Sequence, residues 1–228
     1  MRGLKLGLPV FLGYMPVGAA FGILATGLGF STLQACACSA TALAGAGQFI
    51  ALPVIRAGES VLAVLAATTV VNLRYVLFGA TISPYLRGLT LPRQALLAYF
   101  LTDETFAINI NDRRAGLSTG WSMFGVGVIS WVGWVLGTLM GAAAASWIGD
   151  PSRWGVEFAM PAMFVALLIA LAENRQHVIV ASLAIAIALA LPAASLVGVN
   201  IPSAWFIVMA SVGAATIATL MFPERESA

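Results

Sequence analysis

Long apolar runs separated by short polar stretches fill almost the whole sequence of 228 residues. No charged residue occurs between Leu6 and Ile55, and comparable runs recur as far as Phe222. Because a membrane-spanning helix needs about 20 apolar residues, the pattern predicts an all-α, polytopic integral membrane protein. The candidate spans are residues 6–28, 33–55, 60–86, 94–111, 120–148, 156–173, 176–197 and 201–222.

The fourth segment differs from the others because Asp103 and Glu104 lie inside its apolar run. On an insertion scale each acid at mid-membrane costs about 2.5–3.5 kcal/mol, whereas each Leu, Ile or Phe returns about 0.3–0.6 kcal/mol. The apolar side chains of this segment therefore offset roughly 3 kcal/mol of a cost of roughly 6. We expect the segment to need partners, protonation or a watery cavity, and acids with these needs are functional candidates.

Basic residues orient the predicted spans. With eight spans and the N-terminus inside, seven Lys and Arg residues lie on the cytoplasmic side and three lie outside, as the positive-inside rule requires. If residues 94–111 do not cross, the count falls to seven, Arg113 and Arg114 move outside, and the rule fits worse. The sequence therefore favours eight spans with both termini inside, in a single transmembrane transporter domain over residues 1–228.

Composition excludes several classes of protein. The chain is 61% hydrophobic and 9% charged, against about 45–50% apolar residues in soluble domains, and its scattered basic residues form no nucleic-acid patch. A single histidine, His177, cannot build an ordinary zinc site. Cys36 and Cys38 face apart on a helix, which indicates packing residues. No nucleotide-binding loop is present, so we expect no cofactor, no metal and no ATP-driven motor. The run 6–28 is too long for a signal peptide.

Glycine and proline positions predict interrupted helices. The run Gly45-Ala46-Gly47-Gln48 combines glycines with a polar amide, and we interpret it as a functional break, since paired broken helices mark transporter binding sites. Single prolines within spans 1, 2, 6 and 7 indicate kinks that neighbouring helices tolerate. These prolines are Pro9, Pro16, Pro53, Pro161 and Pro192.

Span 5 carries glycines at multiples of four residues, and Gly18 and Gly22 repeat this spacing in span 1. Such small-residue faces allow close helix packing, either within the chain or against a partner subunit. Inverted repeats are common in membrane transporters, although none is clear in this sequence. The glycines of span 5 are Gly125, Gly133, Gly137 and Gly141.

The remaining polar residues of the spans suggest a charged site. Arg74 lies near the middle of span 3 and needs an acid or a carboxylate ligand. Asn72 is ~200° from Arg74 on a regular helix, so both line one cavity only if the helix unwinds. Asp103 and Glu104 are ~100° apart. We expect one acid to face the cavity, with Asp103 preferred, and the other to pair with Arg74. The alternative is a purely structural ion pair.

Five short motifs stand out in order and spacing: Gly13-Tyr14-Met15-Pro16-Val17-Gly18, Phe21-Gly22, Ala44-Gly45-Ala46-Gly47-Gln48-Phe49, Asn72-Leu73-Arg74 and Thr102-Asp103-Glu104. Together they resemble the AzlC family of branched-chain amino acid transport proteins. The resemblance covers nearly the whole chain, with one departure, Tyr75, where many members have His and where proton coupling is therefore in question.

The resemblance implies the large subunit of an exporter of leucine, isoleucine, valine and methionine in the bacterial cytoplasmic membrane. It also implies a small hydrophobic partner of the AzlD type. A zwitterionic substrate needs a cation or a helix N-terminus for its carboxylate and an acid for its ammonium group. The candidate substrate-binding residues are therefore Gly45, Gly47, Gln48, Asn72, Arg74, Asp103 and Glu104.

Other functions remain open from the residues alone. Intramembrane acids also build cation channels, and a channel would show ion current without saturable amino acid flux. An intramembrane aspartyl enzyme is disfavoured, because its dyad needs two carboxylates sharing one site, whereas adjacent acids on one helix point apart. We therefore expect a transporter and not an enzyme.

Overall fold

A computed structural model describes residues 1–159, 161–162, 165, 168–169, 172, 174–193 and 204–222. This part of the chain is helical throughout its regular structure and contains no strand. It forms two compact units, Met1–Met163 and Phe164–Ala228, which are described separately. The helices are α1 (Arg2–Gly27), α2 (Thr32–Thr41), α3 (Gly45–Arg56), α4 (Val61–Asn72), α5 (Arg74–Ile82), α6 (Leu91–Tyr99), α7 (Asp103–Arg114), α8 (Gly120–Ile148), α9 (Arg175–Ala190) and α10 (Ala204–Met221).

Three described helices are long and apolar enough to cross a membrane: α1, α8 and the helix that begins at Arg175. The pair α4 and α5, bent by 41° at Leu73, makes a fourth if it is counted as one span. Eight of the 18 residues of the predicted span 156–173 lie outside the described residues, as do residues 194–197 and 201–203 of the last two spans. The described structure therefore contains three or four such spans.

Helices α1 and α8 form the most extensive helix contact of the first unit, and they run parallel. Gly3 lies against the start of α8, and Gly141 lies against Ala19 near the other end of α1. A methyl group added at Gly141 would collide with the Ala19 carbonyl group. The glycine stripe of span 5 therefore packs against span 1 of the same chain, as the within-chain interpretation of this stripe predicted.

The prolines of α1 do not interrupt it. The helix is continuous from Arg2 to Gly27 through Pro9 and Pro16, so the expectation of an interrupted first span is wrong. A proline removes one backbone hydrogen bond, but the close contact with α8 along the length of α1 holds both parts of the helix in line. Pro53 likewise lies inside α3.

The three segments between α1 and α8 are each broken near their middle. The α-helix is interrupted at residues 42–44, at Leu73, where the axis bends although the backbone angles stay helical, and at residues 100–102. Side chains satisfy backbone groups that the breaks release: Trp131 and Tyr99 donate hydrogen bonds to the Ala40 carbonyl, and Thr105 Oγ1 donates to the Phe100 carbonyl at 2.8 Å. Such partners make a broken helix tolerable in a membrane.

The second unit contains α9 and α10, which pack against each other. Gly213 of α10 lies next to Ile187 of α9, with a distance of 3.4 Å from an ideal Cβ position at Gly213 to the Ile187 Cδ1 atom. No residue of α9 is fully buried. These helices correspond to the predicted seventh and eighth spans.

Candidate functional site

The three helix breaks meet at one cavity. Two further walls come from Tyr14 and Trp134, which lie at the centres of α1 and α8. Since both helices are long enough to span a membrane, the cavity lies about halfway along their length. The lining residues are Tyr14, Leu43, Gly45, Ala46, Arg74, Tyr75, Thr102, Asp103, Glu104 and Trp134.

A partly buried ion pair forms one side of the cavity. Arg74 Nη1 lies 2.9 Å from Asp103 Oδ1, and the two side chains are 24% and 14% exposed. The Arg74 guanidinium carbon also lies 5.4 Å from the centre of the Tyr75 ring, within the range of a cation–π contact. The positive charge of Arg74 is therefore held in place by an acid on the neighbouring broken segment and by an aromatic face.

Glu104 has a different environment from Asp103. Its carboxylate accepts a hydrogen bond from the Tyr14 hydroxyl group, which also lies 2.8 Å from Thr102 Oγ1. Thr102 in turn caps α7, because its hydroxyl oxygen accepts from the Thr105 N–H group at 3.2 Å. The two adjacent acids therefore face one cavity with different partners, a cation for Asp103 and neutral hydroxyl groups for Glu104.

Two helix N-termini point toward this cavity. Helix α7 begins at Asp103 with the Thr102 cap, whereas α3 begins at Gly45 and its N-cap residue, Ala44, offers no side-chain hydrogen bond. The first N–H groups of a helix and its dipole attract anions. The start of α3, with Gly45 and Ala46 lining the cavity, is therefore suited to a carboxylate group.

The cavity brings together Gly45, Arg74, Asp103 and Glu104 of the predicted substrate-binding residues. The geometric conflict on span 3 does not arise, because Arg74 lines the cavity and Asn72 does not, as expected for residues ~200° apart on a helix. Arg74 pairs with Asp103 and both acids line the cavity, so the expected division, with Asp103 facing the substrate and the other acid pairing with Arg74, is wrong.

Gly47, Gln48 and Asn72 do not line the cavity. An ideal Cβ at Gly47 would lie 2.8 Å from Asn72 Nδ2, so this glycine brings α3 close to α4. Asn72 Oδ1 is buried and has no hydrogen-bond donor within the described part of the chain. Gln48 is buried behind the cavity, where it accepts a hydrogen bond from the Trp134 indole at 2.8 Å.

Sequence reasoning missed the aromatic walls of the site. Trp134 is 2% exposed and lies edge-on to Tyr14, with ring centres 5.3 Å apart. A signal for Trp134 was present, because membrane proteins concentrate Trp at the two interfaces and this Trp is at the centre of a span. Tyr14 gave a similar signal at the centre of span 1.

The cavity is closed in this structure. The free space between its lining residues is about 10 Å³, roughly the space that a single water molecule needs. An amino acid is far larger than a water molecule, so it enters only if the lining segments move apart. The backbone breaks at 42–44, Leu73 and 100–102 lie where such movement is required.

An apolar helical bundle with broken helices around a charged cavity at half depth is the arrangement of a membrane transporter. Residues 9–148, which include all the cavity residues, match the protein family described as AzlC protein. The chain belongs to this AzlC family. No solved structure matches it.

Named relatives place the family in membranes. The inner membrane protein YgaZ of Escherichia coli is 36% identical over 189 residues, which cover 79% of this chain and 76% of YgaZ. The branched-chain amino acid transport protein AzlC of Bacillus subtilis is 29% identical over 163 residues, 71% of this chain and 63% of AzlC. A membrane protein of Archaeoglobus fulgidus is 32% identical over 205 residues, 89% of each chain.

Proposed function

We propose that this chain is a secondary exporter of branched-chain and other aliphatic amino acids in the bacterial cytoplasmic membrane, acting with a small AzlD-type partner. The observation that carries the proposal is the cavity, where Arg74 lies beside two carboxylates and an apolar surface at half the depth of α1 and α8. An aliphatic amino acid carries groups that complement these: a carboxylate for the cation, an ammonium group for an acid and an apolar side chain for the apolar surface.

The substrate carboxylate is assigned to Arg74 and the start of α3. A guanidinium group carries five N–H donors, so Arg74 can hold Asp103 and a second carboxylate together. The N–H groups at Gly45 and Ala46 add the positive end of a helix dipole. This pairing supports recognition of a group with the geometry of a carboxylate, which guanidinium binds well.

The substrate ammonium group is assigned to Glu104. Its carboxylate is bound to the neutral hydroxyl of Tyr14, whereas Asp103 is already paired with a cation. Leu43, Ala46 and Trp134 offer apolar surface for the side chain of the substrate. Because one methylene changes binding by only about 1–3 kcal/mol, we expect leucine, isoleucine, valine and methionine all to be carried.

The charges of the cavity favour a carrier over a cation channel. A cation pore needs a path lined by uncompensated acids or carbonyl groups. Here the guanidinium of Arg74 stands beside Asp103 at 2.9 Å, and the free space is about 10 Å³. Both features oppose a continuous cation path and suit a site that opens to one side at a time.

The parallel packing of α1 and α8 supports eight spans with a crossing at residues 94–111. Parallel helices cross in the same direction, so an odd number of crossings separates them. Three broken spans satisfy this condition and two do not. Helix α7 also reaches the level at which α1 begins, since Arg2 pairs with Asp112 at 2.5 Å. The segment with Asp103 and Glu104 is therefore proposed as a full, broken span.

The test is counterflow of labelled leucine into proteoliposomes, with and without the small partner and with a pH gradient imposed or collapsed. We expect saturable flux that isoleucine and valine compete for, lost in Glu104→Gln and kept in Glu59→Gln. Glu59 is an exposed acid in the turn before α4 and serves as the control. Cation current without leucine counterflow would refute the proposal and favour a channel.

A further inference from the structure

The indole of Trp134 forms a fixed wall of the cavity. It is 2% exposed, and its ring lies so close to the start of α3 that an ideal Cβ at Gly45 would be 2.8 Å from Trp134 Cη2. The edge-on contact with Tyr14, at 5.3 Å between ring centres, holds its other side. Both neighbours also line the cavity, so the indole has little room to move away from a substrate.

A buried polar chain behind the cavity holds the indole at its N–H end. Trp134 Nε1 donates to Gln48 Oε1 at 2.8 Å, and Gln48 Nε2 donates to Ser39 Oγ at 3.2 Å. Ser39 Oγ lies 2.8 Å from Thr138 Oγ1, one helical turn after Trp134 on α8. Ser39 and Thr138 are fully buried and Gln48 is 5% exposed. The chain of hydrogen bonds thus begins and ends on α8 and passes through α2 and α3.

This arrangement fixes the orientation of a large aromatic ring without placing any of the polar groups in the cavity. Buried polar networks in which each member is paired specify one side-chain arrangement. A ring that was only packed among apolar neighbours could rotate when a larger substrate entered. The hydrogen bond to Gln48 opposes this rotation, because it would leave both groups buried without a partner.

We propose that Trp134 sets the upper size limit for the substrate side chain, and that Gln48 is the positioning residue that keeps the indole in place. The inference rests on the proposed function, since it concerns the same cavity. It assigns to Gln48 a role behind the site in place of a direct contact with substrate. It predicts that aromatic amino acids are excluded by the indole and by no other group of the cavity.

The first test measures size selectivity by competition against labelled leucine counterflow. The measured quantity is the ratio of the phenylalanine and leucine concentrations that halve the flux. We expect Trp134→Leu to lower this ratio about tenfold or more, the effect that a methylene-sized change in a pocket produces. Trp134→Phe should lower the ratio less, and this variant replaces Trp134→Leu in the test if Trp134→Leu does not fold. Trp121→Leu, an exposed position of the same helix, should leave the ratio unchanged.

A change at Gly45 should act in the opposite direction. In Gly45→Ala the added methyl group would lie 2.8 Å from the indole, so the indole or α3 must shift and the cavity narrows. We expect valine to compete better relative to leucine in this variant. An equal loss of competition by both amino acids would count against the indole as the size-limiting wall.

The second test separates a positioning role of Gln48 from a structural one. Gln48→Leu should lower the phenylalanine-to-leucine ratio in the wild-type background but cause no further change in the Trp134→Phe background, where no indole N–H remains to be held. A merely structural role at the start of α3 would give the same change in both backgrounds and would overturn the assignment. Tm in detergent is recorded for each variant.

The outcomes distinguish this inference from the proposed function. A wild-type protein without leucine counterflow refutes the proposed function and the size limit with it. A wild-type protein that carries leucine, together with folded Trp134→Leu and Trp134→Phe variants that still exclude phenylalanine, refutes the size limit alone. Entry of phenylalanine in these two variants, with leucine flux retained, supports it.

Discussion

Removing the ion pair between Arg74 and Asp103 tests whether these residues stabilise the fold or bind the substrate. At 2.9 Å and an effective dielectric constant of about 20, the Coulomb attraction is roughly 6 kcal/mol. Most of this attraction offsets the desolvation of the two charges. Removing one partner leaves the other charge buried, which costs about 3–5 kcal/mol. We therefore expect Arg74→Gln and Asp103→Asn each to be strongly destabilising.

The double variant Arg74→Gln/Asp103→Asn should recover most of this loss, because it leaves no unpaired charge. The assay is thermal unfolding of the purified protein in detergent, where each single variant should lower Tm by roughly 10 °C. Arg153→Gln is the control, since its pair with Asp150 spans 3.8 Å between side chains that are 83% and 55% exposed. Exposed pairs contribute at most about 1 kcal/mol.

Leucine counterflow by the double variant then decides the role of the pair. If Arg74 binds the substrate carboxylate, the double variant is stable and inactive. A stable double variant with wild-type flux would show that the pair is only structural and would refute the assignment of Arg74. Single variants with the Tm of the wild type would refute the expected loss of about 3–5 kcal/mol, because they would mean that water reaches the remaining charge.

Two further predictions concern the scaffold and the cap of α7. Gly141→Leu should lower Tm, since overpacking a close contact costs about 1–3 kcal/mol and the new side chain meets the backbone of Ala19. Gly13→Ala, in open space on α1, is the control and should leave Tm unchanged or raise it. A lower Tm for Gly13→Ala than for Gly141→Leu would contradict the packing. Thr102→Ala should lower Tm by removing an N-cap worth about 1–2 kcal/mol, and it should also reduce leucine counterflow because α7 starts at the cavity. Thr68→Ala, which removes only hydrogen bonds to its own helix, should do neither.

Local signals in the sequence marked two of the three broken segments. Two glycines followed by Gln48 marked span 2, and adjacent acids marked span 4 as a segment that cannot insert alone. The observed break in span 2 lies at residues 42–44, just before the predicted run, and Gly45 is the first residue of α3. Glycine here serves the close approach of Trp134, a tertiary contact that no local pattern reveals.

The orientation of individual side chains was less accessible to sequence reasoning. Helical spacing predicts which residues share a face only while the helix is continuous. Arg74 reaches the cavity and Asn72 does not, as the ~200° between them on a helix predicts. Across the non-helical residues 42–44 and 100–102 this phase is lost. The same loss of phase hides the position of Gln48, which is polar and adjacent to the break but turned toward Ser39 and Trp134.

The distribution of contacts suggests which parts of the site move. Helices α1 and α8 meet through glycines at backbone distance along their length, so they form the stiffest pair of the first unit. They carry the aromatic walls, Tyr14 and Trp134, whereas the charged groups lie on the broken segments. Opening the closed cavity therefore means moving the charges away from a fixed aromatic surface. The Gly141→Leu variant bears on this argument, because loosening the pair should impair transport even though the substitution touches no cavity residue.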